Sequence, residues 1–318
     1  MRRQPIPRYA LAAAMVLVLA EAALAAGLRP ARDFFYLLVW WPYVALADGL
    51  VKARRGASPA TATPAGLAAL AFWSVSFWLV FEAYNLVLGN WRYVGLVAAR
   101  PVRWAGYVLS FATVLPAVLV TAGWFETLRP FRRLAVPRFA WTPRRRLAAG
   151  LAGVAAAALP LIQPRWAYPL VWVGPFLVLD AAVDALGGPG LVRCLAAGRG
   201  GRVAALLAAG LFCGLLWEFW NYWAGAKWVY HVPLPRVLDV RLFEMPLPGF
   251  LGFLPFALEC EAAARLLSAL GLLPPVEGLP PPRRRLPGWA AAAAAALQPP
   301  LWALAFALMD RVTVVSFR

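Results

Sequence analysis

Three carboxylic acids lie inside stretches that are otherwise apolar: Glu82, Glu218 and Glu259. A charged side chain at mid-bilayer costs about 2.5–3.5 kcal/mol on insertion scales, so each needs an explanation. Glu82 and Glu218 stand about six residues from the ends of their apolar runs, roughly 9 Å deep at 1.5 Å per residue. Asn85 and Asn221 follow three residues later, on the same helix face as the acids. Two such faces would gather two carboxyl groups and two amides around one internal axis. They would serve either as a site for proton chemistry or as hydrogen bonds that hold the two halves together. Glu259 lies about 11 residues, or roughly 16 Å, into its run, near the midplane.

The surroundings of the first two acids repeat. Phe81-Glu82-Ala83-Tyr84-Asn85 is followed by Asn90-Trp91-Arg92-Tyr93, and Trp217-Glu218-Phe219-Trp220-Asn221 by Lys227-Trp228-Val229-Tyr230. The separations are 136 residues for Glu and Asn, and 137 for Trp and Tyr. Asp48 and Asp180 stand 132 apart upstream, and Pro116 and Pro255 stand 139 apart downstream. This order points to a duplicated unit with a few loop insertions between copies. Glu259 has only Leu119 or Val120 at its place in the first copy, so repeat symmetry does not require it.

The elements that must carry these residues are membrane helices. Of 318 residues, 63% are apolar and only 14% are charged, with 16 Trp. Soluble domains run near half apolar and about a quarter charged, so a soluble enzyme is excluded, as is a disordered chain. Nine runs approach the roughly 20 apolar residues that a bilayer needs: 9–27, 34–51, 66–88, 104–124, 147–163, 167–186, 203–224, 248–269 and 288–309. The expected fold is an all-α, polytopic transmembrane bundle. Four spans would form each copy, and four is even, so the copies would face the same way across the membrane. Residues 1–130 would be the first membrane repeat, 131–146 a basic loop and 147–270 the second repeat. A Pro- and Arg-rich linker, 271–287, would precede the final helix and tail, 288–318.

The net charge of +17 falls largely in short loops. The N-terminus and every second loop hold 20 of the 31 Lys and Arg, beginning with Arg2, Arg3 and Arg8. That asymmetry expects a cytoplasmic N-terminus in a bacterial inner membrane and explains the charge without nucleic acid. The first run could instead be a secretory signal. Trp228 and Tyr230 sit where interfacial aromatics anchor spans.

The segment Phe243-Glu244-Met245-Pro246-Leu247-Pro248-Gly249-Phe250-Leu251-Gly252-Phe253 leads into the eighth run. Its Pro and Gly residues break helix and allow close backbone approach. Irregular backbone at membrane depth survives only where it is buried or lines a cavity, so a pocket rim or a tight return turn is expected. Asp180-x-x-x-Asp184 is similar to the magnesium-binding aspartates of membrane prenyltransferases, but the first copy reads Asp48-x-x-x-Lys52. The plainer expectation is that Asp48 and Asp180 cap or pair at the ends of their spans. A single histidine, His231, and three scattered cysteines indicate neither haem, a metal centre nor a disulfide framework. No cofactor is implied. Hydrolase, nucleotide-binding and zinc-protease motifs are absent.

The stretch 217–261, with WEFWN, KWVY, FEMP and GFLGFLPFALE in order, resembles a family of uncharacterised bacterial multi-pass membrane proteins. That resemblance implies the span count and little else. More remotely, the tandem arrangement is similar to the integral-membrane lycopene cyclases, in which small helical units are duplicated and a Trp-x-aromatic segment precedes a span opening on Pro-acid-acid. Here that place carries Pro246-Leu247-Pro248-Gly249, with Glu244 before it and Glu259 well after.

The expected function is a membrane enzyme acting on a lipid or isoprenoid that enters a cleft between the copies. Glu218 or Glu259, with Glu82, would act as general acid toward an alkene or as an acid/base pair. Asn85, Asn221, Trp220, Trp223, Trp228, Tyr230 and Glu244 would bind substrate, with Phe219 and Tyr222 completing the cleft wall. Aromatic faces would stabilise a developing carbocation. The alternative is a non-enzymatic carrier or scaffold in which the acids are structural or proton-coupled.

Overall fold

The computed structural model describes residues 4–317; Arg2 and Arg3, counted above among the basic residues, lie outside that range. The first half contains α1 (Arg8–Ala25), α2 (Arg29–Arg55), α3 (Pro59–Ala62), α4 (Pro64–Leu88), strand β1 (Trp91–Val94), α5 (Arg100–Phe111), α6 (Val114–Phe125) and α7 (Arg129–Arg132). The second contains α8 (Pro143–Ile162), α9 (Pro164–Ala167), α10 (Gly174–Ala185), α11 (Leu191–Ala196), α12 (Gly201–Trp223), strand β2 (Lys227–Tyr230), the small strands β3 (Arg241–Leu242) and β4 (Met245–Pro246), and α13 (Phe253–Ala269). Helices α14 (Gly288–Ala296) and α15 (Gln298–Val312) close the chain.

Among the described residues, eight stretches of helix are long and apolar enough to cross a membrane. The protein is a multi-pass membrane protein with an all-α fold. The eighth expected run, 248–269, is different. It forms a 3₁₀ turn, Leu247–Gly252, and then the 17-residue α13, which buries Glu259, Glu261 and Arg265. Those charges and the Pro-Gly break shorten it, and it runs through the middle of the bundle. Helix α1 packs on α2 as α8 packs on α10; α2 then meets α6 as α10 meets α13, and α6 and α13 touch each other at the centre. The span Arg100–Phe125 is 72% buried, whereas Pro143–Ile162 is only 11% buried. The outer helices show Leu147, Leu151 and Val154 to their surroundings, as helices bathed in lipid do.

Strands β1 and β2 fix the relative direction of the two halves. Each follows directly on its helix, α4 or α12, and the two strands pair with each other. The two helices therefore end at the same end of the bundle, running the same way. Thr313 and Val315 bond to Tyr93 on the other edge of β1, so α15 ends there too. The Gln4 amide bonds Ala53 at the opposite end, beside the end of α2. Gln4 and Val315 thus lie at opposite ends of the bundle.

The central spans break where the sequence forbids regular helix. Pro116 and Pro255 are each the third residue of α6 and α13. Proline cannot donate to the turn before it. Beside α6, the Ser74 hydroxyl donates to the Phe111 carbonyl at 2.6 Å and accepts the Leu115 amide at 3.0 Å, taking up the backbone groups that the break frees.

The end opposite the strands carries ion pairs, partly exposed at Glu126 and buried at Glu261. Glu126 accepts Arg55 at 2.9 Å and Arg202 at 3.0 Å; Glu261 accepts Arg202 at 2.6 Å and Arg265 at 2.8 Å. The local Glu261–Arg265 pair thus belongs to a network that ties α2, α6, α12 and α13 together. Asp48 accepts the Tyr9 and Ser58 hydroxyls and the Ala60 amide in the first turn of α3. Asp180 accepts the Leu191 and Val192 amides that open α11. Both aspartates therefore cap the short helix that leads into the next span, as the plainer expectation held. Asp184 pairs with Arg193 and Arg146 and accepts the Trp141 indole N–H, so its oxygens are engaged by protein groups.

Candidate functional site

The two Glu-x-x-Asn segments build matching arrangements at the strand end. In a helix, residues i and i+3 share a face; in a strand, Trp-x-Tyr places both rings on one side. Asn85 therefore reaches strand β1. Its Nδ2 donates to the Trp91 carbonyl at 2.9 Å and its Oδ1 accepts the Trp91 amide at 3.1 Å. Asn221 does the same for Trp228, at 2.8 and 2.9 Å. Tyr93 donates its hydroxyl to Glu82 Oε1 at 2.5 Å, and Tyr230 donates to Glu218 Oε1 at 2.8 Å. The strands then pair with Trp91 opposite Tyr230 and Tyr93 opposite Trp228, so equivalent positions exchange across a local two-fold axis. Each acid bonds within its own half, and the strands join the halves.

Burial, followed by the carboxylate beside each ring, pushes the Tyr93 and Tyr230 phenols well above their usual value. Both stay neutral and act as hydrogen-bond donors. The second oxygen of each acid, Oε2, has no partner among the described residues.

The match fails four residues before the acid. Trp78 donates its indole N–H to Glu82 Oε1 at 2.9 Å, and Trp91 adds a third donor at 3.2 Å. The residue four before Glu218 is Gly214, against which the Phe253 ring packs so closely that a Cβ would collide with it. Glu218 therefore lacks a counterpart of the Trp78 indole, and the Trp228 indole beside it donates to the Tyr230 hydroxyl at 2.8 Å.

A cavity of about 490 Å³ lies beside this difference, within the range typical of ligand sites. Its wall includes Glu218, Tyr230, Tyr93, Trp78, Trp217 and Trp172. The broken segment before α13 contributes Met245, Pro246, Pro248 and Gly249, so it forms part of the rim. Phe243, at φ +58°, makes the tight turn between β3 and β4. Gly106 also lines the cavity, and a Cβ placed on it would meet open space.

The expected site residues fall in several places. Glu218, Trp228 and Tyr230 lie in the cavity wall. Glu82 stands behind Trp78, Trp91 and Tyr93. Asn85 and Asn221 hold the strands. Glu244 pairs with Lys227 at 2.5 Å, beside the cavity. Trp220 lies instead among Trp40 and Tyr43, donating to Glu21 at 2.8 Å. Trp223, Tyr222 and Phe219 are on the outer face of α12, 55%, 41% and 37% exposed. The expected wall is thus corrected: Trp217 and Glu218 point inward, and their neighbours are turned away by the 100° step of the helix. Glu259 is fully buried and apart from the cavity. Neither of its oxygens makes a hydrogen bond among the described residues, and the Phe176 amide in the first turn of α10 faces it.

Sequence reading passed over Trp217, Trp172, Tyr36 and Asp33. The Trp217 indole donates to Tyr36 at 2.9 Å. The signal for Trp217 was its place next to Glu218; the others come from distant spans and had none. Among the described residues, no group of three or more His, Cys, Asp and Glu is placed to hold a metal ion. No protein-family model, curated protein or solved structure matches the chain.

Proposed function

We propose that the protein takes an apolar lipid, of the isoprenoid kind, into the strand-end cavity, and that Glu218 performs proton chemistry on it. The observation that carries this reading is the aromatic-walled cavity with Glu218 in its wall, one carboxyl oxygen unpartnered and Gly214 at the place from which Trp78 covers Glu82. The Trp faces suit a flat polyene or a developing carbocation. Tyr230 fixes the orientation of the acid. Glu82, held by three donors, is a positioning residue for strand β1. The matched hydrogen-bond sets support descent of the two halves from one duplicated unit. The basic network end faces the cytoplasm, by the loop charges, and the cavity lies toward the opposite leaflet.

The test is mass spectrometry of lipids that co-purify with the protein in mild detergent. Wild type is expected to carry a defined apolar species that Gly106→Phe lacks, because the new ring fills the cavity. Glu218→Gln is expected to retain a species differing from the wild-type one, the unconverted substrate. Ordinary phospholipid in all three proteins would overturn the reading. The same defined lipid in wild type and Glu218→Gln would favour a carrier, the second reading, which is supported by the oxygen that each acid already gives to a tyrosine.

A further inference from the structure

The polar atoms of the cavity wall say what kind of head group it takes. Two cations are in that wall among the described residues, Arg103 and Lys227, and both are engaged. Arg103 gives Nε and Nη2 to Asp310 at 2.9 and 2.7 Å, and Nη1 to the carbonyls of Val97 and Ala98 at 2.9 and 2.8 Å. Lys227 gives Nζ to Glu244 at 2.5 Å and to the Tyr222 carbonyl at 3.3 Å. A phosphate needs cationic donors that are free to turn toward it. Here each cation is already matched by a carboxylate of the protein.

The polar atoms left open have the opposite character. Asn90 Oδ1 and Glu218 Oε2 are buried and unpartnered, and both residues line the cavity. Asp33, also in the wall, forms no ion pair among the described residues. Asn90 Oδ1 and the Asp33 carboxylate offer acceptors, and the free Glu218 oxygen accepts whenever its proton has moved to substrate. An anionic head would meet the Asp33 carboxylate and the Asn90 carbonyl oxygen with no free cation, which low-dielectric surroundings penalise. A hydroxyl supplies the missing donor and brings no charge.

Resting on the reading of the cavity as a lipid site, we propose that its occupant is an uncharged lipid alcohol, an apolar chain ending in a hydroxyl, and not a phosphorylated lipid. The ion pairs Arg103–Asp310 and Lys227–Glu244 keep the wall closed to phosphate. Glu244 thereby acts on specificity through Lys227, without contacting the chain.

The experiment uses the full-length protein in nanodiscs and energy transfer from the cavity tryptophans to bound retinol. Retinol is then displaced with geranylgeraniol or with geranylgeranyl diphosphate. Geranylgeraniol is expected to compete at a concentration about tenfold or more below that of the diphosphate, a difference of about 1.4 kcal/mol. Glu244→Gln, which releases Lys227, is expected to narrow that gap several-fold. If the diphosphate competes as well as the alcohol in wild type, the head-group assignment fails while the lipid site stands. If retinol does not bind, or binds Gly106→Phe equally, the lipid-site reading itself fails. An unchanged gap in Glu244→Gln would overturn the role given to the ion pair.

Discussion

Glu82 and Glu218 occupy matching places in matching hydrogen-bond sets, and they end in different situations. In the first half three donors converge on one oxygen of the acid, and Trp78 covers it. In the second half one donor reaches the acid, and Gly214 replaces the tryptophan. The framework around both is shared: an asparagine clamps the strand, a tyrosine bonds the acid, and the strands pair with each other. A single position one helical turn before the acid therefore separates a carboxyl that is walled in from one that borders a cavity. The residues that match between the halves build the scaffold, and those that differ set the surroundings of each acid.

The clamps give the largest expected effect. Asn85→Ala orphans a buried, and Asn221→Ala a half-buried, backbone amide and carbonyl, at up to about 1–3 kcal/mol per group. The loss should be greater at Asn221. Strand β1 is held on its second edge by Thr313 and Val315, whereas β2 has β1 as its only partner among the described strands. Thermal unfolding of the two variants in one detergent checks this. Equal losses would mean that the bonds from Thr313 and Val315 add nothing to the first half.

Replacing the acids sharpens the comparison at a smaller cost. Glu82→Gln perturbs an acceptor shared by three donors and should cost about 1–3 kcal/mol. Glu218→Gln perturbs an acceptor with one donor and should cost about half as much or less. The order should reverse for the lipid that co-purifies, where Glu218→Gln changes the species and Glu82→Gln leaves it as in wild type. A Glu82→Gln protein of unchanged stability would break the assignment of Glu82 to the scaffold.

How much of this could be read from the sequence follows the same division. Most span positions and the parallel sense of α4 and α12 were legible, because period and spacing act locally; that Asn85 and Asn221 clamp strands was not. The capping roles of Asp48 and Asp180 were legible for the same reason. The cavity wall was not. Phe219, Tyr222 and Trp223 looked like a lining because they are aromatic and near an acid, but the helix turns them outward. Trp172 and Asp33 gave no signal, since only the tertiary arrangement brings their spans to Glu218. Glu259 stood out correctly as buried; its separation from the cavity depends on how α10 and α13 cross, which no local pattern encodes.

The smallest predicted effect concerns the tyrosines that the two halves share. Tyr93 and Tyr230 are held above the usual phenol value by burial and by the neighbouring carboxylates. An unfolded chain releases a phenolic proton near pH 10, while the folded protein keeps both protons beyond that point. The contribution of each phenol to stability is therefore fully present below about pH 10 and is lost as pH rises above it. Measured from about pH 8 to 11, wild-type stability should be level at first and then decline. Tyr93→Phe and Tyr230→Phe should each make that decline shallower, since each removes one group that ionises in the unfolded chain alone. If the halves share their scaffold as their hydrogen bonds indicate, the two variants should change the slope by similar amounts. A change confined to Tyr230→Phe would place the Tyr93 proton under the control of the three donors around Glu82, and the equivalence would end at the strands.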